Sequence, residues 1–403
     1  MKKASHVLLL GVCLSSWGAY GAGFAIIEQN ASGLGHAYAG QAAVAQDAST
    51  VFFNPAGLSR LDQRELVVAA HLIQTSAQFT DGGSTLGVLG EGGDAGITAP
   101  IANAYLSMPI NEVVTAGIGL NAPFGLMTEY DTPWAGQTHG LKSDMKSINI
   151  NPSLAWQAND HLSLGLGVSW QRLEAELTQA AAASATPPIA SLKGDDSSWG
   201  WNIGLLYSPD ERNRVGMAYR SRIKQHIEGT QSVNGVVLAN IYTDVTLPDT
   251  FSMSYFRSVN AQWDVLADAT WTGWSAFENF TVLNSATDAT VVSIPENWEN
   301  AWRYSLGASY RQSDKWIWRL GMAYDENPVP DAQHRTVRTP DSDRIWLALG
   351  GQYRLDNKSV LDFGYTHIFM NEAAINHTEN AVTVLGTYDS HIDILSVQYT
   401  HRF

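Results

Sequence analysis

Residues able to do covalent or acid–base chemistry are thinly spread along this chain. The eleven histidines are scattered, and no GxSxG elbow, HExxH helix or Walker loop occurs. Gly33-Leu34-Gly35 lacks the third glycine of a dinucleotide fingerprint because position 38 is Tyr. Catalysis is therefore not expected, nor is a cofactor or a metal ion. What the polar residues offer is anion binding. Arg220, Arg222, Lys224 and Arg303 stand on the polar side of segments whose other side is apolar, where a cation gives a carboxylate charge-assisted hydrogen bonds. For any one of them, pairing with an interior carboxylate such as Asp264 or Asp268 is the simpler use.

The segments that carry these cations alternate with period two. Leu162, Leu164, Leu166, Val168 and Trp170 are apolar, and Ser163, Gly165, Gly167, Ser169 and Gln171 between them are small or polar. The pattern returns at Trp199 to Tyr207, at Trp302 to Tyr310 and at Trp316 to Tyr324. A soluble sandwich would put charge on its outer face. Here one face carries large aromatics near the segment ends, as interfacial girdles do, and the other carries Gly, Ser, Asn and Arg.

Composition agrees with a surface covered by something other than water. Charged residues are 16% of the 403, against about 25% in soluble domains, while Trp, Tyr and Phe number 14, 15 and 12. The net charge of −15 removes the phosphate-neutralising attraction on which nucleic-acid binding depends. Residues 1–21 read as a secretory signal: Lys2 and Lys3, an apolar stretch from Val7 to Leu14, then Ala19-Tyr20-Gly21 as cleavage site. Cleavage there also removes Cys13, the single cysteine. No later apolar run reaches 18 residues, so helical spans are not expected.

Connections sort by length. Short turns fall at 109–112, 159–161, 209–213, 259–262, 312–315 and 356–358. Long polar segments fall at 80–99, 125–144, 176–198, 228–243, 272–297, 326–343 and 368–390. Thirteen connections require fourteen strands, with short turns on one side and long loops on the other, the pattern of an outer-membrane barrel. Leu395, Val397, Tyr399 and Phe403 give the last strand an apolar face ending on an aromatic, which resembles the signal read by the barrel-insertion machinery. Residues 22–64 fit no strand. Their glycines and Phe24, Ile26, Ile27, Val51, Phe52 and Phe53 suit a compact plug for a lumen too wide to fill with wall side chains. The domain plan is 1–21 signal, 22–64 plug and 65–403 barrel.

Two local features bear on a ligand. In the fifth strand Arg172, Glu174 and Glu176 take the outward parity and Leu173, Ala175 and Leu177 the inward one, so apolar side chains face the mouth unless a bulge shifts the register. Phe24, third in the mature chain, is expected inside the barrel, since an aromatic in a polar lumen needs an apolar partner.

Ala22-Gly23-Phe24, the stretch SGLGHAYAG at 32–40 and Asn54-Pro55-Ala56 resemble the amino-terminal hatch of the FadL/TodX family of outer-membrane transporters for hydrophobic compounds. Leu247-Pro248, WTGWSAF at 271–277, Pro328-Val329-Pro330 and PDSDRIW at 340–346 resemble its later motifs in order. The resemblance implies an all-β, 14-stranded antiparallel transmembrane β-barrel plugged by an N-terminal hatch. It implies passive uptake of long-chain fatty acids or related hydrophobic molecules, with ligand-gated diffusion and release sideways through a kinked third strand. Here that strand carries Asn121, Pro123 and Gly125. Pro123 cannot donate to a ladder, and it either breaks pairing or merely ends the strand. Substrate contacts are expected from Phe24, Ile26, Arg172, Leu173 and Arg303. Arg172 matches the position where the family supplies an arginine to the ligand head group, although parity turns it outward, and Glu299 stands where a second cation can occur. Asn54, Pro55 and Ala56 are expected to form a structural hatch turn. Expected partners are the ligand, outer-membrane lipid and lipopolysaccharide, and the insertion machinery, with no nucleic acid and a monomeric barrel. The alternatives are a surface adhesion barrel, a transporter of aromatic hydrocarbons and a porin for polar solutes.

Overall fold

The computed structural model describes residues 22–403; the expected signal segment 1–21, with Cys13, lies outside them. From Glu65 onward, wall strands pair antiparallel with their neighbours. The first, Glu65–Asp81, closes the ring against the last, Val382–Arg402, in register from Glu65↔Arg402 to Asp81↔Gly386. This is a closed antiparallel barrel of fourteen wall strands, the number the turn spacing requires. Its polarity is inverted relative to a soluble protein. Leu166, Leu320 and Leu349 on the outer face are 56%, 59% and 60% exposed, whereas Asn149, Gln171, Thr366 and Gln398 are buried inside.

All six short turns are built alike. Asn111, Asn159, Asp210, Asn260, Ser313 and Asp356 each accept hydrogen bonds from the backbone N–H groups two and three residues on, such as His161 and Leu162 onto Asn159 Oδ1 at 2.9 and 3.0 Å. The opposite end differs from expectation. Much of 176–198, 228–243 and 368–390 is not loop but hairpin, formed by Leu162–Ala180 with Ile189–Tyr207, by Ile223–Val233 with Val236–Leu247, and by Ala373–Glu379 with Val382–Arg402. Above the bilayer the outer face meets water, so both faces turn polar and the sequence there looks like loop although the ladder continues.

Residues 22–64 fold inside the barrel as the short helices Ala31–Leu34, Gln41–Val44 and Thr50–Phe53 and the 3-10 turn Pro55–Arg60. The wall is shaped to receive them. A Cβ on Gly216 would lie 1.9 Å from the Ala42 carbonyl oxygen, and one on Gly321 2.0 Å from the His36 carbonyl carbon, so only glycine permits this approach. Polar side chains bind plug to wall: Gln398 Oε1 accepts from Ala31 N at 3.0 Å, and its Nε2 donates to Asp47 at 3.0 Å.

Candidate functional site

Phe24 sits where four aromatic rings meet. Its centroid lies 4.6 Å from Trp274, 5.5 Å from Phe277 and Trp298, and 6.2 Å from Phe124, mostly edge-on. Two cavities flank this cluster. One, of about 1080 Å³ with its mouth, lies against the plug and is lined by Ile26, Tyr38, Phe53, Phe124, Trp274 and Trp346 together with Arg220, Arg303, Asp268 and Asp325. The other, about 900 Å³, is lined by Phe24, Leu173, Ala175, Leu177, Ile227, Val245 and Ile294, with Glu296 and Arg338 among its few ionisable groups.

Leu173 is thus an inner-wall residue of the second cavity. The ladder from Leu162↔Tyr207 to Ala180↔Ile189 runs without a bulge, so the change at Trp170 is one of chemistry and not of register. Arg172 therefore stays on the outer face. It pairs with Glu174 at 2.8 Å and Asp195 at 3.1 Å and lines neither cavity, so the structure does not bring it together with Phe24, Ile26, Leu173 and Arg303.

The other cations divide. Arg303 lies in the first cavity, 6% exposed. One Nη2 proton goes to the Ala37 carbonyl, and the guanidinium stands 5.3 Å from the Trp346 ring. Among the described residues, its Nε and Nη1 have no hydrogen-bond partner. Its expected counter-ions are otherwise engaged: Asp264 with Arg311, Asp268 with Ser254 and Thr270. Arg220 lines the same cavity but is tied to Phe52 O at 3.0 Å and Ser169 Oγ at 3.2 Å. Arg222 and Lys224 do not face inward. The strand breaks between Asn213–Arg220 and Ile223–Val233, and beyond the break Ile223, Gln225 and Ile227 are the buried residues. Glu299 is exposed, its backbone N–H bonded to Pro328 O.

The third strand has a gap in its pairing. Val114–Asn121 pairs with the second strand only as far as Ala104↔Leu120, although Thr98–Pro109 runs on to Thr98. Asn121 is buried and still pairs with Asn149, and pairing on that side resumes at Gly125↔Lys146. Pro123 lies in the interruption. The front of the plug occupies the unpaired edges. Ile26 N donates to Pro123 O at 2.8 Å and Gly125 N to Phe24 O at 3.0 Å. Gln29 Nε2 donates to Ala122 O at 3.1 Å, while Asn103 Nδ2 and Tyr105 Oη donate to the carbonyls of Glu28 and Gln29 at 2.9 and 3.0 Å.

At the other end of the plug Asn54 is a clasp. Nδ2 donates to Ala42 O at 2.6 Å and to Leu205 O on the wall at 3.0 Å, and Oδ1 accepts from Ala56 N at 3.0 Å, with Pro55 starting the 3-10 turn. Sequence reasoning missed Trp298 and Glu296. Both lie in the long 272–297 connection or just beyond it, where no periodicity marks an inward face. Glu296 accepts from Trp298 Nε1 at 3.0 Å, and burial pushes its carboxyl up to about 7.

Residues 12–403 match a protein family described as outer membrane protein transport protein (OMPP1/FadL/TodX). A long-chain fatty acid transport protein of Escherichia coli (strain K12) is 30% identical over 415 residues, 92% of each chain. Outer membrane protein P1 of Haemophilus influenzae is 30% identical over 423 residues, covering 91% of this chain and 90% of its own. Among solved structures, a Pseudomonas aeruginosa FadL homologue has a TM-score of 0.88 at 24% identity, over 95% of this chain and 100% of the other. The Ralstonia pickettii toluene transporter TbuX has 0.69 at 18%, over 93% and 98%.

Proposed function

Because the chain belongs to the OMPP1/FadL/TodX family of outer-membrane transport proteins, we propose that it takes up long-chain fatty acids by passive, ligand-gated diffusion and releases them sideways into the membrane. The observation that carries this reading is the position of Phe24: its ring lines the second cavity and packs on Trp274 and Phe124, which line the first, and its backbone carbonyl holds the free edge of the third strand. An acyl chain gains about 0.8 kcal/mol per buried CH₂ and enters the second cavity on Leu173, Ala175 and Leu177. Advancing, it displaces the Phe24 ring. The unpartnered Nε and Nη1 of Arg303 then receive its carboxylate in the first cavity. Movement of residues 24–26 breaks the bonds to Pro123 and Gly125 and uncovers the gap between the second and third strands. Leaving through it into lipid preserves the burial of the chain, whereas release into water forfeits it.

A neutral aromatic hydrocarbon is the rival cargo, and Arg303 argues against it, since such a ligand leaves buried donors unsatisfied. The test is uptake of labelled oleate and of toluene by cells with and without this protein. Oleate uptake that requires the protein, with toluene unaffected, supports the proposal; protein-dependent toluene uptake alone overturns the choice of substrate.

A further inference from the structure

On the side of the long connections, His139 from the 130–141 connection meets His377 and Glu379 of the hairpin strand Ala373–Glu379. Both histidines are nearly fully buried, at 2% and 4% exposure. One nitrogen of each ring faces a backbone carbonyl, which can only accept: His377 Nδ1 lies 2.5 Å from Gln333 O, and His139 Nε2 lies 3.1 Å from Val382 O. Those nitrogens therefore carry the protons. In neutral rings this leaves lone pairs on His377 Nε2 and His139 Nδ1, and both look toward Glu379 Oε1, at 2.9 and 4.0 Å. A lone pair opposite a carboxylate oxygen is repulsive. Protonating His377 relieves one contact only, because His139 Nδ1 has no hydrogen-bond partner and 4.0 Å is too long for one.

We propose that His139 Nδ1, His377 Nε2 and Glu379 Oε1 bind a divalent transition-metal ion of the zinc type. Two imidazoles and a carboxylate are a zinc donor set, and the three atoms lie within 4.8 Å of one another. Tetrahedral zinc with bonds of about 2.1 Å needs separations of about 3.4 Å, so His139 Nδ1, at 4.0 Å from Glu379 Oε1, moves in while His377 Nε2, at 2.9 Å, moves out, each by roughly half an ångström. The backbone carbonyls of Gln333 and Val382 supply the outer hydrogen bonds that fix each tautomer. Glu379 is 18% exposed on its side chain, which gives the ion a path from water. The ion ties the 130–141 connection to the last hairpin and, through Gln333, to the 326–343 connection, all three on the side of the long connections.

The experiment uses the full protein, purified in detergent without a histidine tag and stripped with EDTA. Equilibrium dialysis against ZnCl₂ is followed by metal analysis, and CoCl₂ is titrated in parallel. The expected result is one zinc per chain and the visible absorption of a tetrahedral cobalt site. H139A and H377A are expected to weaken zinc binding at least tenfold and abolish the cobalt band. E379Q, which keeps the side chain's shape, is expected to do the same, and resistance to SDS without heating identifies the folded barrels. Folded wild-type protein that binds no more zinc than H139A/H377A overturns the proposal, as does full binding retained by E379Q and both histidine variants. The test reads no transport, so it fails or succeeds independently of the substrate assignment.

Discussion

Phe24 is expected to act as a gate whose removal is read in affinity. In Phe24→Ala the aromatic contacts, worth about 0.5–1.5 kcal/mol each, no longer have to be broken by an incoming chain. Labelled oleate is expected to bind roughly tenfold tighter, the equivalent of about 1.4 kcal/mol; unchanged binding and uptake at normal surface abundance would remove the gate from the mechanism. Glu296 makes a prediction in pH. Its carboxyl is raised from 4.5 to about 7 by burial, so the folded state holds the proton more tightly than the unfolded one. Below pH 4.5 both states are protonated and the residue is neutral; as pH rises toward 7 and above, stability falls by up to about 3 kcal/mol. Thermal unfolding in detergent is expected to show Glu296→Gln matching wild type at pH 4.5 and exceeding it at pH 8. Leu173 and Arg303 were legible because each lies on an unbroken alternating strand. Arg222 and Lys224 were misread because the break at Ser221 flips parity without any marker in the residues themselves.

At the scale of elements, the plug is held at two ends that do different things. Asn54 clasps its rear. Asn54→Ala removes the partner of the Ala56 amide and one bond each from the Ala42 and Leu205 carbonyls, at roughly 1–3 kcal/mol for each group left unsatisfied. The expected result is a looser plug and faster entry of small polar antibiotics into cells; equal permeability reduces Asn54 to a linker. The front covers the gap between the second and third strands. If that ladder continued, Ala102 would face Ala122, because Ala104 faces Leu120. Oxidised Ala102→Cys/Ala122→Cys is expected to stop uptake while binding survives, with reductant restoring uptake. Transport at the wild-type rate in the oxidised variant sends the ligand downward past the plug instead. The short turns could be read from sequence because each needs an Asx or Ser side chain to satisfy its backbone locally. The hairpins of the far side could not, because strand above the bilayer has water on its outer face and loses the contrast that reveals it. Pro123 announced an interruption, but the plug backbone that fills it is 97 residues away along the chain and left no local trace.

Considered whole, the molecule is a ring with its stopper inside. The ring closes along Glu65–Asp81 and Val382–Arg402, and the Gly216 and Gly321 contacts show the wall fitted closely around residues 22–64. That arrangement dictates an order of assembly. The stopper leads the chain, and the strand that completes the ring is the last to be made, so the plug is enclosed only when the final strand finds the first. Once that seventeen-residue seam has formed, the wall surrounds the plug as a closed ring. A barrel starting at Glu65 and a separate 22–64 peptide are therefore expected to reconstitute a tight, selective protein when they fold together and a leaky one when the peptide is added to the finished ring. Restored tightness on late addition would mean that the seam opens after insertion. The same logic makes the front of the plug a passenger of barrel closure: Phe24 and its neighbours must be in place within the ring before it shuts, a constraint that falls on the biogenesis of the protein and not on its transport.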